Sequence, residues 1–246
     1  MFSKKEETYI EYTGRRIPFV IIYELRRSVR VAFGSKAITL RIPWVMTADS
    51  KRKHIEKSKQ WAVDQLRVKP GLITNFVAKH YHDNQVLKIG DKKYILYIQF
   101  HDRKTNKAVV KGQLLEIHLS TDIADDQKPE IIRYLISRTI ANDCYPEIAK
   151  RVHELNELHF KKKINDIRLK LSQTNWGSCS TQGNINLSAR LLFAPQPVID
   201  YVIIHELSHL IEHNHSDRFW TIVAKVMPEY EKYEKWLKVN SHLCEF

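Results

Sequence analysis

The chain is poor in cysteine: three in 246 residues (Cys144, Cys179, Cys244), far apart and never in CxxC spacing. That argues against a disulfide framework and against a thiolate zinc site, and it fits a reducing cytoplasm. Cys179, in GSCS, is read as a small residue packed beside a strand, with a nucleophilic thiol as the alternative. Glycine is also scarce, at seven, which leaves little for long flexible linkers. No apolar run nears the ~18 residues a membrane span needs, so no membrane partner is expected. The opening MFSKKEETYIEYTGRR is polar, carries both charge signs and lacks the apolar core of a secretory signal. Sequence repeats and low-complexity tracts are missing too.

What is there is ordinary globular composition, 43% hydrophobic and 28% charged, long enough to bury a real core. The net charge of +12 leaves three readings open: nucleic-acid contact, an acidic substrate, or plain solubility. Lysine and arginine read as scattered, with local runs at Lys51-Arg52-Lys53 and Lys161-Lys162-Lys163, and aromatics do not interleave with those runs.

The pattern predicts an α+β protein. Residues 1–121 read as a β-rich region with one helix. IPFVIIYELRRSVRVAFGSKAITLRIPW has short β-branched runs with Gly34-Ser35 as a hairpin turn, and Gly90-Asp91 and Lys111-Gly112 mark two more. Between them a helix is expected from Ala48 to Val68, stopped by Pro70-Gly71. Residues 122–246 read as a helix-dominated second domain, with one continuous α+β body as the alternative to two independent domains. Ile132, Leu135, Ile136 and Ile140 have helical spacing, and Pro146 is expected to break or restart that helix, giving a helical pair or one kinked helix.

Chemistry concentrates in VIIHELSHLIEHNHSDRFW. Pro195 and Pro197 open a helix expected to run from Val198 to Glu212, with apolar residues on more than one face and therefore buried on several sides. Polar groups inside such a helix need partners, because unpaired burial costs ~1–3 kcal/mol per group. His205 and His209, four apart, project from one face and can bind one zinc ion. Glu206 lies beside them, placed to take a proton from an activated water: the HExxH pattern. His213 would sit about 12 Å from His205 along a continuous helix, too far to share an ion. The chain must turn first, with Asn214 as a left-handed helix end and Ser216 as the next N-cap. His215, on that turn, is the expected third ligand, leaving a fourth position for water. Glu212 and Asp217 are candidates to orient the ligand rings. The six-residue step from His209 to His215 is also that of metzincins, but Glu212 stands where they have a turn glycine.

The wider segment LSQTNWGSCSTQGNINLSARLLFAPQPVIDYVIIHELSHLIEHNHSDRFW resembles the YgjP-like metallopeptidase family, related to the SprT-like and WLM zincins. The resemblance rests on Trp176 to Cys179, Asn184 to Leu187, Leu192 to Pro195, HELSH, and Asn214-His215-Ser216 with Phe219-Trp220. It implies a zincin-like helix beside a small sheet, a zinc ion, and hydrolase activity, with family members divided between peptide and nucleotide substrates. The strand pattern of IRLKLSQTNWGSCS and INLSARLLF, with Gly183 at the turn, agrees with that sheet. Trp176, Gly177 and Ser178 are the expected substrate-binding stretch, where unpaired backbone groups would accept an extended peptide by strand addition; a packed core aromatic is the alternative for Trp176. Phe219 and Trp220 read as core residues of the following helix.

A zinc peptidase with a peptide or protein substrate is the leading expectation. Nucleotide phosphoanhydride hydrolysis is the alternative, although no P-loop or magnesium-type carboxylate cluster is present. A DNA-associated SprT-like protease is a third, by analogy. A structural zinc site would need a fourth protein ligand, for which His242 is the late histidine available. Arg168, Asn175 and Arg190 are the candidate oxyanion donors.

Overall fold

The computed structural model describes residues 4–34, 36–76, 80–172 and 174–246. It is mixed α+β, as the pattern predicts, and divides into two compact units, Met1–Ala78 and Lys79–Phe246.

The first unit is a four-stranded sheet with one helix. Strands β1 (Lys4–Tyr12), β2 (Arg15–Glu24), β3 (Arg30–Phe33) and β4 (Ile38–Pro43) lie in the order β1-β2-β4-β3, with β2 and β4 parallel. On β2 every second residue is buried (Ile17, Phe19, Ile21, Tyr23), the period-two alternation of a sheet with one covered face. Helix α1 (Ala48–Val68) begins at Thr47, whose side chain accepts from the Ser50 amide, and buries Ala62 and Leu66. The turn expected at Gly34-Ser35 lies partly outside the described residues, since Ser35 is not among them.

The second unit opens with the same frame. Strands β5 (Val86–Ile89), β6 (Lys92–His101), β7 (Lys107–Lys111) and β8 (Leu114–Ser120) have the order β5-β6-β8-β7, again with the inner pair parallel and a helix following. No repeat is visible in the residues themselves. The hairpins turn at Gly90 and Gly112, both with positive φ, where glycine carries no Cβ penalty.

The domain boundary expected after residue 121 is therefore misplaced. Helix α2 (Lys128–Leu155) packs on β7 and β8, and Leu96, Leu115, Ile117 and Leu119 share one core with Ile136, Val152, Ile203 and Leu207. Cutting at 121 would split that core. Of the two outcomes expected at Pro146, a helical pair or one kinked helix, it is a single helix that forms: α2 runs through the proline. Asn142, whose carbonyl loses its amide partner to the proline, and Pro146 are both exposed, so water satisfies the orphan group. Cys144, Ile148 and Val152 meanwhile keep one buried stripe on either side of the proline.

After a π-helical turn (Asn156–Phe160), β9 (Asp166–Lys170), β10 (Gly177–Cys179) and β11 (Asn184–Ser188) form a small sheet of order β10-β11-β9, leaving β10 at an edge. The last helices are α3 (Gln196–Ser208), α4 (Asp217–Val226) and α5 (Tyr230–Asn240). No helix among the described residues is long and apolar enough to cross a membrane.

Candidate metal centre

Helix α3 carries His205, Glu206 and, at its C-cap, His209. Nine of its 13 residues are buried, on all sides, as its apolar pattern predicts. The Arg151 guanidinium of α2 grips Asp200 with two hydrogen bonds of 2.8 and 2.7 Å, pinning α3 to its neighbour. The helix ends at Ser208, four residues before the expected Glu212. The Ser208 hydroxyl donates back to the Ile204 carbonyl (2.7 Å), and the chain then leaves the helix through tight turns. Asn214 is not left-handed; the turn is made without positive φ. Ser216 does cap α4, accepting from the Phe219 amide at 3.4 Å.

This early stop brings His205, His209 and His215 together. One nitrogen of each lies within 4.8 Å of the other two, and the Nε2 atoms of His205 and His215 are 3.0 Å apart. Among the described residues no fourth His, Cys, Asp or Glu joins them. His242 lies in the short turn Ser241–Leu243, and His213 is exposed outside the cluster.

Phe219 organises the three rings. It is fully buried and stands 4.9, 4.5 and 4.8 Å from His205, His209 and His215, stacked on His209. Trp220, half-buried, stacks on Tyr230 and borders His205 and His215. His209 Nδ1 lies 3.1 Å from the Glu212 carbonyl oxygen, which can only accept, so Nδ1 carries the proton and Nε2 presents its lone pair. Glu212 thus orients a ring through its backbone. Its carboxylate lies 3.9 Å from Arg218, and Asp217 instead starts α4.

The residues fit a divalent cation. Burial, reinforced by the other two imidazoles, lowers His205 to about 3, and burial also lowers His209. Both are therefore neutral imidazoles, the form that ligates. Glu206 is buried, and that burial pushes its carboxyl up to about 8. Its Oε2 and the His205 Nδ1 are buried with no hydrogen-bond partner among the described residues. Three converging imidazoles beside an unpartnered acid suit a borderline divalent ion, whose charge would compensate the buried Glu206 carboxyl; His205 Nδ1 lies on the other side of its ring from the Nε2 that meets His215.

Gly177 belongs to the site for a reason its position in sequence does not reveal. A Cβ built on it would fall 2.7 Å from Cδ and from Cγ of Glu206. Strand β10 thus runs directly against the acid, and only glycine permits it. Gly177→Ala is expected to destabilise the unit by about 1–3 kcal/mol and to displace Glu206. Thermal melting alongside the metal-binding measurement checks this; a variant as stable and active as wild type would refute the close approach.

The remaining expected residues divide. Trp176 is half-buried with the Arg190 guanidinium 4.6 Å over its ring. Arg190 is not an oxyanion donor: it is spent on the Cys244 and Ser241 carbonyls at 2.8 and 2.9 Å, tying down the C-terminal turn. Arg168 pairs with Asp166 at 2.6 Å, and the Ser178 hydroxyl accepts from Asn186 at 3.1 Å. Asn175 is exposed, and its amide donates to the Ser172 hydroxyl. The Cys179 thiol is pushed up to about 11 by burial and the nearby Glu206, so it is protonated and packed, as its context implied.

A sequence model of the YgjP-like metallopeptidase domain matches residues 27–240. The UTP pyrophosphatase of Escherichia coli (strain K12) is 26% identical over 89 residues, 36% of this chain and 53% of that protein. The chain thus spans about half the length of this curated relative. The metallopeptidase zymogen of Pyrococcus abyssi abylysin aligns at 22% identity and a TM-score of 0.36, covering 40% of this chain and 96% of that one. That of Methanocaldococcus jannaschii jannalysin aligns at 24% and 0.33, covering 39% and 96%. With the family match spanning most of the sequence, the triad and β10 included, the chain belongs to the YgjP-like metallopeptidase-domain family.

Proposed function

We propose that the protein is a zinc-dependent hydrolase that cleaves peptide bonds, with His205, His209 and His215 holding the ion and Glu206 managing the proton. The supporting observation is the juxtaposition of the buried Glu206, whose Oε2 has no partner among the described residues, with three converging imidazoles. When bound, zinc acidifies a coordinated water and polarises the bond to be attacked. Beside a cation, whose charge would offset the burial that favours the protonated acid, ionised Glu206 would take up at Oε2 the proton released by the attacking water and later deliver it to the leaving amine.

The edge strand supports a peptide substrate. Ser188 donates to the Trp176 carbonyl (2.8 Å) and Ser180 to that of Asn184 (3.0 Å), so residues 176, 178 and 180 face β11. By alternation Gly177 and Cys179 turn their backbone N–H and C=O groups to the open side, beside Glu206. An extended peptide pairing there lays its carbonyl next to the acid, with Trp176, Gly177 and Ser178 as the binding stretch. The ring of Phe219, Trp220 and Tyr201 around the triad also suits a neutral amide better than a polyanion.

The similarity to a UTP pyrophosphatase favours nucleotide phosphoanhydride hydrolysis as the second reading. Zinc-loaded protein is to be offered unfolded proteins and UTP in parallel, with and without chelator. Chelator-sensitive release of new amino termini is the expected result. Release of pyrophosphate from UTP with no new amino termini would transfer the activity to the second reading.

A further inference from the structure

The positive charge is not scattered after all. Residues 1–78 hold 16 Lys and Arg against 7 Asp and Glu, while residues 79–246 hold 24 against 21. The frame does not demand this, because the second unit begins with the same strand order and a following helix. In that copy the link from β8 into α2 carries exposed Asp122, Asp125 and Asp126. The cationic character belongs to the first copy alone.

Within it, one end is distinctive. The parallel strands β2 and β4 finish together, Glu24 opposite Pro43, and the Trp44 amide donates to the Glu24 carbonyl at 3.0 Å. The links that follow expose Leu25 (85%), Val45 (83%) and Trp44 (44%), apolar side chains that a closed surface would not leave together. Beside them Arg26, Arg27, Val29, Pro43, Met46 and His54 line a cleft of about 620 Å³. Arg26 is paired with Glu24 at 3.0 Å, but Arg27 has no acidic partner among the described residues. Lys51 reaches back to the Trp44 carbonyl at 2.8 Å, and exposed Arg52 and Lys53 continue the cationic rim along α1.

We propose that this end of the N-terminal unit binds single-stranded nucleic acid, phosphates lying against Arg26, Arg27 and the first turns of α1, and a base against Trp44. Arg26 and Arg27 stand within the cleft itself, among Val29, Pro43, Val45 and Met46, and with Arg52 and Lys53 on the adjoining helix they give the successive phosphates of a strand discrete partners. A partly exposed indole beside them offers a stacking platform to an unpaired base. The proposal is independent of what the triad hydrolyses, since binding is read without turnover.

The test is fluorescence anisotropy of the full-length protein with labelled oligouridine and oligothymidine of about 20 nucleotides. Affinity is expected to fall about tenfold or more between about 50 and 200 mM salt. The double variant Arg27→Glu, Lys53→Glu is expected to weaken binding about tenfold or more, with unchanged melting because both residues are exposed. Trp44→Ala is expected to cost about fivefold and Trp44→Phe much less. Binding that ignores salt, or variants that bind like wild type, would overturn the proposal. Capture by phosphatidylserine vesicles without oligonucleotide binding would reassign the surface to membranes. Full displacement of the oligonucleotide by stoichiometric UTP would reassign the cleft to a mononucleotide.

Discussion

Glu206→Gln is expected to keep the fold and the bound metal while lowering turnover by about 10²–10⁴-fold, the range for a positioned general acid–base. The substitution is nearly isosteric at a site that is 4% exposed, so β10 and α3 still pack. Among the described residues it removes the one carboxyl group beside the imidazoles, and the amide cannot replace it as a proton carrier. Stability should not fall, because burial already disfavours the charged carboxylate and a neutral amide carries no such penalty. The measurement is kcat/KM on whichever substrate yields product, with metal content and melting temperature recorded on the same preparation. Full metal with lost turnover assigns the proton to Glu206. Undiminished hydrolysis by metal-loaded Gln protein would remove the acid from the reaction.

The spacing of His205 and His209 was readable because helix geometry is local: four residues return a side chain to the same face whatever surrounds it. His215 follows from the sequence by excluding His213 on the premise of a continuous helix; the helix stops at Ser208, so that premise fails, yet His215 still joins the cluster and His213 lies exposed outside it. Where the helix stops was not readable. Leu210-Ile211-Glu212 contains no glycine or proline, and no other breaker marks the end at Ser208, where the Ser208 hydroxyl bonds the Ile204 carbonyl and His209 meets the Glu212 carbonyl. Pro146 shows the converse: a breaker overruled by the buried stripe on both sides of it.

The strands of residues 86–120 were legible from their turns, but not which helix covers them. Period-two alternation says that one face is buried and not against what, and this is why the boundary after 121 cut through a single core. Gly177 left only a faint trace, a glycine in a strand with no turn signal beside it. Such a residue marks close approach of something large, and here that is Glu206. The shared topology of the two sheets left no trace, because strand order follows from packing and unrelated apolar residues can satisfy the same pattern.

Removing a ligand should have the second large effect, and the three histidines should differ in a way that separates coordination from packing. Each of His205→Ala, His209→Ala and His215→Ala is expected to weaken metal binding by more than the roughly 10–100-fold lost when only a ring-orienting partner is removed. In wild type, metal at about 100 times its Kd should stabilise the fold by about 2.7 kcal/mol, a shift visible in melting temperature. That metal-induced shift should vanish in all three variants. Their metal-free stabilities should not match, however. His215 is exposed, so its loss should leave the metal-free melting temperature close to wild type. His209 is 8% exposed, stacked on Phe219 and held by the Glu212 carbonyl, so truncating it opens a hole and leaves that carbonyl unpaired. Its metal-free form should melt lowest of the two. A His215→Ala protein that still gains the wild-type shift on adding metal would strike His215 from the ligand set, and with it the reading that the turn after α3 exists to bring a third imidazole home.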